Sequence, residues 1–448
     1  MQMIADFNSW LNGYVWGWPM IILLIGTGIL LTLVTGVAQV RYLGRALSEV
    51  LGKLTQKSKG DGSVSPFQAV STALASTVGV GNIAGVATAI GIGGPGALFW
   101  LWVSGALGMC TKYAEIAIAL HYREKDSTGT MRGGAMYILK NGLGMPWLGT
   151  VFALLTAVAA FGIGNMVQAN SVAGALDASF GISPSLTGIV MVVITAAVIL
   201  GGIKRIGQVT EYLVPFMAIL YLGGGLTIVG MHAGDIPRVL GQVFDGAFTG
   251  TAATGGFAGS TIMMAMRYGI ARGLFSNEAG LGSAPMVHAA ATTDHPIRQA
   301  MYGIFEVFVD TILICTTTGL VILLTDTWSL GINGAALSAK AFEVGLPGTW
   351  GSLVVTSGVM LFSFSTLVGW SYYGETGAVY LFGAKAAMPY RLLWLVFIYL
   401  GAVGSLHLVW DVADTLNGLM AIPNLIAVLL SIPLLLRLQK EFFAKPRT

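Results

Sequence analysis

Apolar runs of about 20 residues, the length needed to cross hydrocarbon, recur along the whole chain. Eleven are read: about 14–38, 66–92, 95–121, 147–173, 184–203, 209–231, 255–290, 297–325, 351–383, 389–409 and 414–437. The second, seventh and ninth are interrupted by glycine and polar residues; the others are nearly continuous. The first does not read as a cleavable leader, because Asp6 precedes it, no Lys or Arg does, and no small-residue cleavage site follows. Between the runs lie a polar loop at 53–65 and a longer loop at 326–350, in which 335–344 (AALSAKAFEV) reads as a short interfacial helix. No soluble domain and no low-complexity segment interrupts the series.

Composition turns these runs into membrane spans. Of 448 residues, 55% are hydrophobic and only 10% charged, against about 25% charged in soluble domains. A globule of this balance could not cover its own surface with polar groups, so the apolar surface faces lipid. The 62 glycines are about twice the usual share of roughly 7% and favour close helix contacts and broken helices. Cys110 and Cys315 both sit inside apolar runs and read as small buried hydrophobes. The net charge of +3 forms no basic stripe with interleaved aromatics, which sets nucleic acid aside.

The placement of Lys and Arg sets the orientation. One side carries eighteen: Arg41, Arg45, Lys53, Lys57, Lys59, Arg123, Lys125, Arg132, Lys140, Lys204, Arg205, Arg298, Lys385, Arg391, Arg437, Lys440, Lys445 and Arg447. The other carries Arg238 and Lys340. The N-terminus is therefore expected outside and the C-terminus in the cytoplasm, which requires an odd number of spans.

Two interruptions are informative together. Span two holds Ser76-Thr77-Val78-Gly79-Val80-Gly81-Asn82-Ile83-Ala84-Gly85; span seven holds Gly273-Leu274-Phe275-Ser276-Asn277-Glu278-Ala279-Gly280-Leu281-Gly282-Ser283-Ala284-Pro285. Both are poor helix material. Unwound backbone is tolerated at membrane depth only where it is buried in protein or lines a cavity. Spans two to six and seven to eleven make two sets of five, each opening on a broken helix, and an odd count per set inverts the second. The expected division is 1–65 (an extra first helix and cytoplasmic loop), 66–231 and 232–437 as the two repeats, and 438–448 as a tail. Paired interrupted helices in matching positions point to the central site of a secondary transporter; helix packing by small residues is the other use. A break frees N–H groups that suit a carboxylate and carbonyls that suit a small hard cation, a combination that an amino acid and sodium would need.

Span two running into Gly93-Gly94-Pro95-Gly96-Ala97-Leu98-Phe99-Trp100-Leu101-Trp102 resembles the signature of the alanine or glycine:cation symporter family, as does Arg272 through Pro285. That family usually has methionine where this chain has Leu101, a mild departure. The resemblance covers essentially the whole chain and the two motifs are highly specific together. It implies an all-α polytopic protein with a LeuT-like five-plus-five inverted repeat behind one extra N-terminal helix. It also implies a carrier of the prokaryotic inner membrane for alanine or glycine, usually driven by sodium, without a cofactor. Likeness to LeuT-like sodium symporters further implies that the amides around Gly79, Val80 and Gly81, with Thr77 and Asn82 beside them, hold the substrate carboxylate. It places the carbonyls of Ala75, Val78 and Phe362 and the hydroxyls of Ser365 and Thr366 around sodium. Asn82 also fits the pattern of a second sodium site, whose remaining ligands find no place.

Other polar residues have two uses each. Asn165 and Gln168 share a helix face three residues apart; Gln168 could hold the substrate ammonium, or both could bond across helices. Trp370, one turn beyond Thr366, could floor the pocket, and Phe275, followed by Ser276 and Asn277, could wall it; packing is the alternative for the aromatics. Glu306 and Asp310 in span eight default to a functional reading, with Arg267 and Arg272 as expected partners in an ion-pair network rather than a proton relay. Lys112 and Glu115 read as a structural pair. The five histidines lack metal-ligand spacing, and no phosphate-binding loop or hydrolase motif occurs, which argues against an enzyme. Sodium-coupled symport of a small neutral amino acid is the reading, proton coupling its alternative. An ion channel, expected to carry repeated filter loops and charge rings, is the other class.

Overall fold

The computed structural model describes residues 2–52, 60–249, 262–404 and 407–444. Lys53, Lys57, Lys59, Lys445 and Arg447, and the start of the expected seventh span, lie outside the described residues. Eleven helical segments follow in the expected order. Span one is Ala5–Val34, span two the pair Pro66–Thr77 and Gly81–Gly93, and span three Gly96–His121. Spans four to six are Pro146–Phe180, Pro184–Ile199 and Gly202–Met231. Span seven is Ile262–Asn277 followed by Ala284–His288. Spans eight to eleven are Pro296–Leu324, Trp350–Phe382, Ala384–Val403 and His407–Leu430. Among the described residues seven helices are long and apolar enough to cross a bilayer, or eight with the broken span two; spans three, five and seven complete the set.

Burial sorts the spans into an inner and an outer layer. Spans six and ten bury only 28% of their apolar windows, span eight 67%. Ile219, Tyr212, Val193 and Val396 stand exposed on spans six, five and ten, as side chains facing acyl tails would. Small residues bring the inner helices together. A methyl at Gly369 of span nine would collide with Ser76 Oγ of span two, and one at Gly273 of span seven with Ser104 Oγ of span three.

Charged residues of the described loops pair with one another and with nearby backbone. Arg123 donates to the carbonyls of Asp61, Ala289 and Ala291 at 2.8, 3.0 and 2.7 Å, and Arg298 pairs with Glu49 at 2.8 Å. The Arg123 contacts bring Asp61 and the segment 289–291 to the end of span three. Arg238 pairs with Asp326 at 3.2 Å. The expected helix in the 326–350 loop forms as Gly334–Gly345. It is more than interfacial: Leu337, Ala341 and Phe342 are buried, and Ser338 Oγ donates to the Ile83 carbonyl at 2.8 Å. Elements not foreseen include the helices Leu43–Gly52 and Ile236–Phe248, the separate helix Ile432–Ala444 running into the tail, and a hairpin of Glu124–Lys125 with Met131–Arg132.

The intramembrane charges pair differently from the sequence expectation. Lys112 and Glu306, both fully buried, meet at 3.3 Å. His288 Nε2 lies 3.0 Å from Glu306. Gln299 Nε2, which can only donate, points at His288 Nδ1 at 2.9 Å, so the imidazole hydrogen sits on Nε2, toward Glu306. Glu115, three residues from Lys112, accepts instead from the Gly280 amide at 3.0 Å and from Asn424. Arg267 and Arg272 take no part. Arg272 lies 5.7 Å above the Phe275 ring, and Asp310 is held by neutral donors. Spacing of three or four on one helix had suggested partners, but the inner helices approach closely enough for charges on spans three, seven and eight to meet across them.

Removing Lys112 leaves a buried carboxylate without its cation. Lys112→Met is expected to destabilise the fold by about 3–5 kcal/mol, and adding Glu306→Gln to restore most of it. Thermal and denaturant unfolding in detergent measures both; a single variant as stable as the parent would show that the pair holds nothing together.

Candidate functional site

The two breaks meet at the centre of the inner layer. In span two the halves bend by 50°. Val78 still donates to the Leu74 carbonyl at 2.8 Å, but the next amide, Gly79, turns to Asn82 Oδ1 at 2.9 Å. The Ala75 carbonyl thereby loses the donor that an unbroken helix would give it. The Val80 and Gly81 amides have no hydrogen-bond partner among the described residues, and both residues line a cavity. In span seven the chain runs unwound through Glu278–Ser283, with Glu278, Gly280 and Gly282 at positive φ (55°, 95° and 78°). Side chains supply what the helix no longer does: Asn277 Oδ1 accepts from the Ala279 amide at 3.0 Å and Asn424 Nδ2 donates to the Gly280 carbonyl at 2.9 Å.

The cavity between the breaks is small, about 30 Å³, room for about two waters. Thr77, Gly79, Val80, Gly81, Gln168, Phe275 and Trp370, all expected at a substrate, line it together with Ser76, Ile163 and Thr366. It adjoins a vestibule of about 230 Å³ that shares Val80, Gly81, Gln168 and Phe275 and ends at Arg272, Asp411 and Asp414. A ligand of several heavy atoms therefore fits where the two meet, against the bare backbone of Val80–Gly81. A Cβ on Gly81 would lie 3.3 Å from Phe275 Cδ1, so glycine and ring together set the width.

Three residues expected at the substrate do other work. Asn82 caps Gly79 and donates to Asp310 Oδ1 at 2.7 Å. Ser276 donates to Asp310 Oδ2 at 2.9 Å, and Asn277 Nδ2 to Thr311 at 3.1 Å. They clamp both broken helices to span eight, none of them on the cavity wall. The Gly79 amide, taken by Asn82, is likewise not free for a carboxylate. The wide turn Phe161–Met166 separates Asn165 from Gln168: Asn165 bonds the Trp394 carbonyl at 2.8 Å, while Gln168 reaches the cavity.

Four of the residues expected around a cation, Val78, Phe362, Ser365 and Thr366, bring their oxygens together, and all of these residues and Ala75 are buried. Ser365 Oγ lies 3.5 Å from the Val78 carbonyl and 2.9 Å from that of Phe362. Thr366 Oγ1 lies 2.9 Å from the Phe362 carbonyl and 3.4 Å from Ser76 O. With the freed Ala75 carbonyl these are uncharged oxygens from two helices, suited to a small monovalent cation. Both hydroxyls also bond back along span nine, the ordinary use of such residues.

Two residues on the wall were not singled out. Glu278 stood in the span-seven motif without a role, and Asn417 of span eleven is one of two amides in an otherwise largely apolar run. The available signal for each was a costly polar group at membrane depth.

Residues 1–448 match the sodium:alanine symporter family. The sodium/alanine symporter AgcS of Methanococcus maripaludis is 49% identical over 438 residues, spanning 96% of this chain and 95% of its own length. The probable sodium/glutamine symporter GlnT of Bacillus subtilis is 37% identical, spanning 96% and 88%. Among solved structures, MhsT in complex with L-phenylalanine superposes with a TM-score of 0.57 at 14% identity, covering 85% of this chain and 98% of that one. A Na+-coupled sialic acid symporter gives 0.52 at 15%, covering 94% and 98%. The fold is LeuT-like, and the chain belongs to the sodium:alanine symporter family, whose members are membrane transporters and not enzymes.

Proposed function

We propose that this protein is a carrier of the prokaryotic inner membrane that moves alanine or glycine together with sodium by alternating access, with its N-terminus outside and its C-terminus in the cytoplasm. The observation that carries this reading is the meeting of the two breaks. Thr366, on the cation side, stands so close to Gly79 that a Cβ there would lie 2.8 Å from its hydroxyl, and Gly79 lies next to the bare amides. Ion and amino acid then share one unwound segment, and each orders it for the other. The Val80 and Gly81 amides receive the carboxylate. Phe275 and Trp370 bound the side-chain space. The carbonyls of Ala75, Val78 and Phe362, with Ser365 and Thr366, receive sodium. Vestibule and cavity lie on the side of Arg238 and Asp326, which this orientation makes the outer one. The relatives' names support the ion and the class of substrate.

One sodium ion is sufficient energetically. Crossing 100 mV yields about 2.3 kcal/mol, a tenfold gradient adds about 1.4 kcal/mol, and the sum supports roughly 500-fold accumulation.

Two outcomes test this. Thr366→Ala removes one cation ligand at a cost of roughly 1.5–3 kcal/mol, so sodium affinity is expected to fall about 10- to 150-fold. Alanine binding at low sodium then falls with it, and high sodium restores it. A sodium titration of alanine binding that is unchanged in the variant would place the ion elsewhere. For the pocket, alanine and glycine are expected to compete while leucine and phenylalanine do not, and Gly81→Val to abolish binding in a folded protein. Leucine displacing alanine at comparable concentration contradicts a space bounded by Phe275 and Trp370.

A further inference from the structure

Among the residues lining the central cavity Glu278 alone carries a formal charge. The break in span seven puts it there: its backbone sits at φ 55°, a conformation that L-residues other than Asn and Asp seldom adopt, and its side chain is only 4% exposed. Its two oxygens accept from Trp370 Nε1 at 2.9 Å and from Ser283 Oγ. Both donors are neutral and leave about half of the carboxylate's acceptor capacity unused. The charged groups that act on it from packed elements are Lys112 of span three and Glu306 of span eight. These already pair with each other. Glu278 itself forms no ion pair among the described residues. Its carboxyl group faces the cavity with acceptor capacity to spare, an arrangement that a cation arriving there would complete.

Gln168 points the same way by an independent route. The wide turn at Phe161–Met166 frees the Ile163 carbonyl, to which Gln168 Nε2 donates at 3.0 Å. A carbonyl accepts only from the NH₂ group, so the amide's orientation is fixed by chemistry. Its Oε1 is left buried, without a partner, on the wall of the same cavity. One end of the cavity thus offers two spare donors, the Val80 and Gly81 amides. Elsewhere it offers the spare acceptors Gln168 Oε1 and Asn417 Oδ1 and the Glu278 carboxyl group.

We infer that Glu278 is the counter-charge for the substrate's α-ammonium group, with Gln168 Oε1 as a second acceptor. This rests on the reading of the cavity as an amino-acid site and adds the residue that separates an amino acid from a hydroxy acid of the same shape. The zwitterion lies with its carboxylate on the span-two amides and its ammonium toward span seven. Each end is bound to a different broken helix, so only a ligand carrying both charges bridges the repeats.

The test compares alanine with lactate, which has the same carboxylate and methyl but a hydroxyl for the ammonium. Each competes against labelled alanine on purified protein at saturating sodium. Glu278→Gln keeps an acceptor for Trp370 and Ser283 while removing the charge. Its alanine affinity is expected to fall about ten- to a hundredfold with lactate affinity unchanged, so that the preference for alanine collapses. The sodium-induced shift in melting temperature of the substrate-free protein is expected to survive, reporting an intact fold and ion site. An equal loss for both ligands makes Glu278 a brace for Trp370. Loss of the sodium shift makes it part of the ion site or of the fold, and an undiminished preference for alanine removes it from recognition; each overturns the inference. Failure of the wild type to bind alanine at all is a separate result, which sinks the amino-acid reading itself.

Discussion

A backbone amide in hydrocarbon has no water to bond, so a helix can stop at membrane depth only where protein takes over its hydrogen bonds. Two helices of this protein stop there, and much of the interior answers that need. Asn82 takes the Gly79 amide, Asn277 the Ala279 amide, Glu115 the Gly280 amide and Asn424 the Gly280 carbonyl. What these groups leave over makes up the proposed site: two amides at Val80 and Gly81, the Ala75 carbonyl, and a carboxylate at Glu278. In that proposal the binding groups are the unsatisfied remainder of two interrupted helices, held in place by the residues that satisfied the rest.

The buried ionic groups serve the same end. Lys112 and Glu306 neutralise each other, and His288, with its hydrogen fixed on Nε2 by Gln299, ties Glu306 to the short second half of span seven. Glu115, one turn from Lys112, holds the unwound segment itself. Asp310 plays a similar part for span two, gripping Asn82 on one side and Ser276 on the other. Spans three and eight thus form a frame behind the breaks. The outer spans, five, six and ten, carry exposed apolar faces and leave that polar interior undisturbed.

Much of this was legible in the sequence. Apolar runs gave the spans, and the glycine-broken segments gave the places where spans two and seven unwind beside a cavity. The Ser365 and Thr366 hydroxyls lie near the Val78 and Phe362 carbonyls, and where span two unwinds to expose such a carbonyl is something the sequence indicates. Side-chain partners were less legible. Asn82, Ser276 and Asn277 looked like ligand groups because polar residues beside a break usually are. Their partners on span eight, Asp310 for Asn82 and Ser276 and Thr311 for Asn277, lie on another helix, and that distance cannot be read from spacing along one chain. Lys112 and Glu115 were paired by proximity in sequence and are paired by packing with Glu306 and Gly280 instead. Glu278 stood in plain view in the motif. That it faces the cavity depends on a positive φ at a non-glycine residue, for which the sequence gives no sign. The helix Ile236–Phe248 was missed because it is amphipathic and too short for a span.

Coupling of the amino acid to the ion through one shared break is the claim on which the rest depends. Alanine uptake into proteoliposomes, under an imposed sodium gradient with the proton gradient collapsed, tests it most directly. The expected result is accumulation above the outside concentration that saturates with alanine and vanishes when sodium is equal on both sides. Uptake that ignores sodium and follows an imposed proton gradient would contradict it.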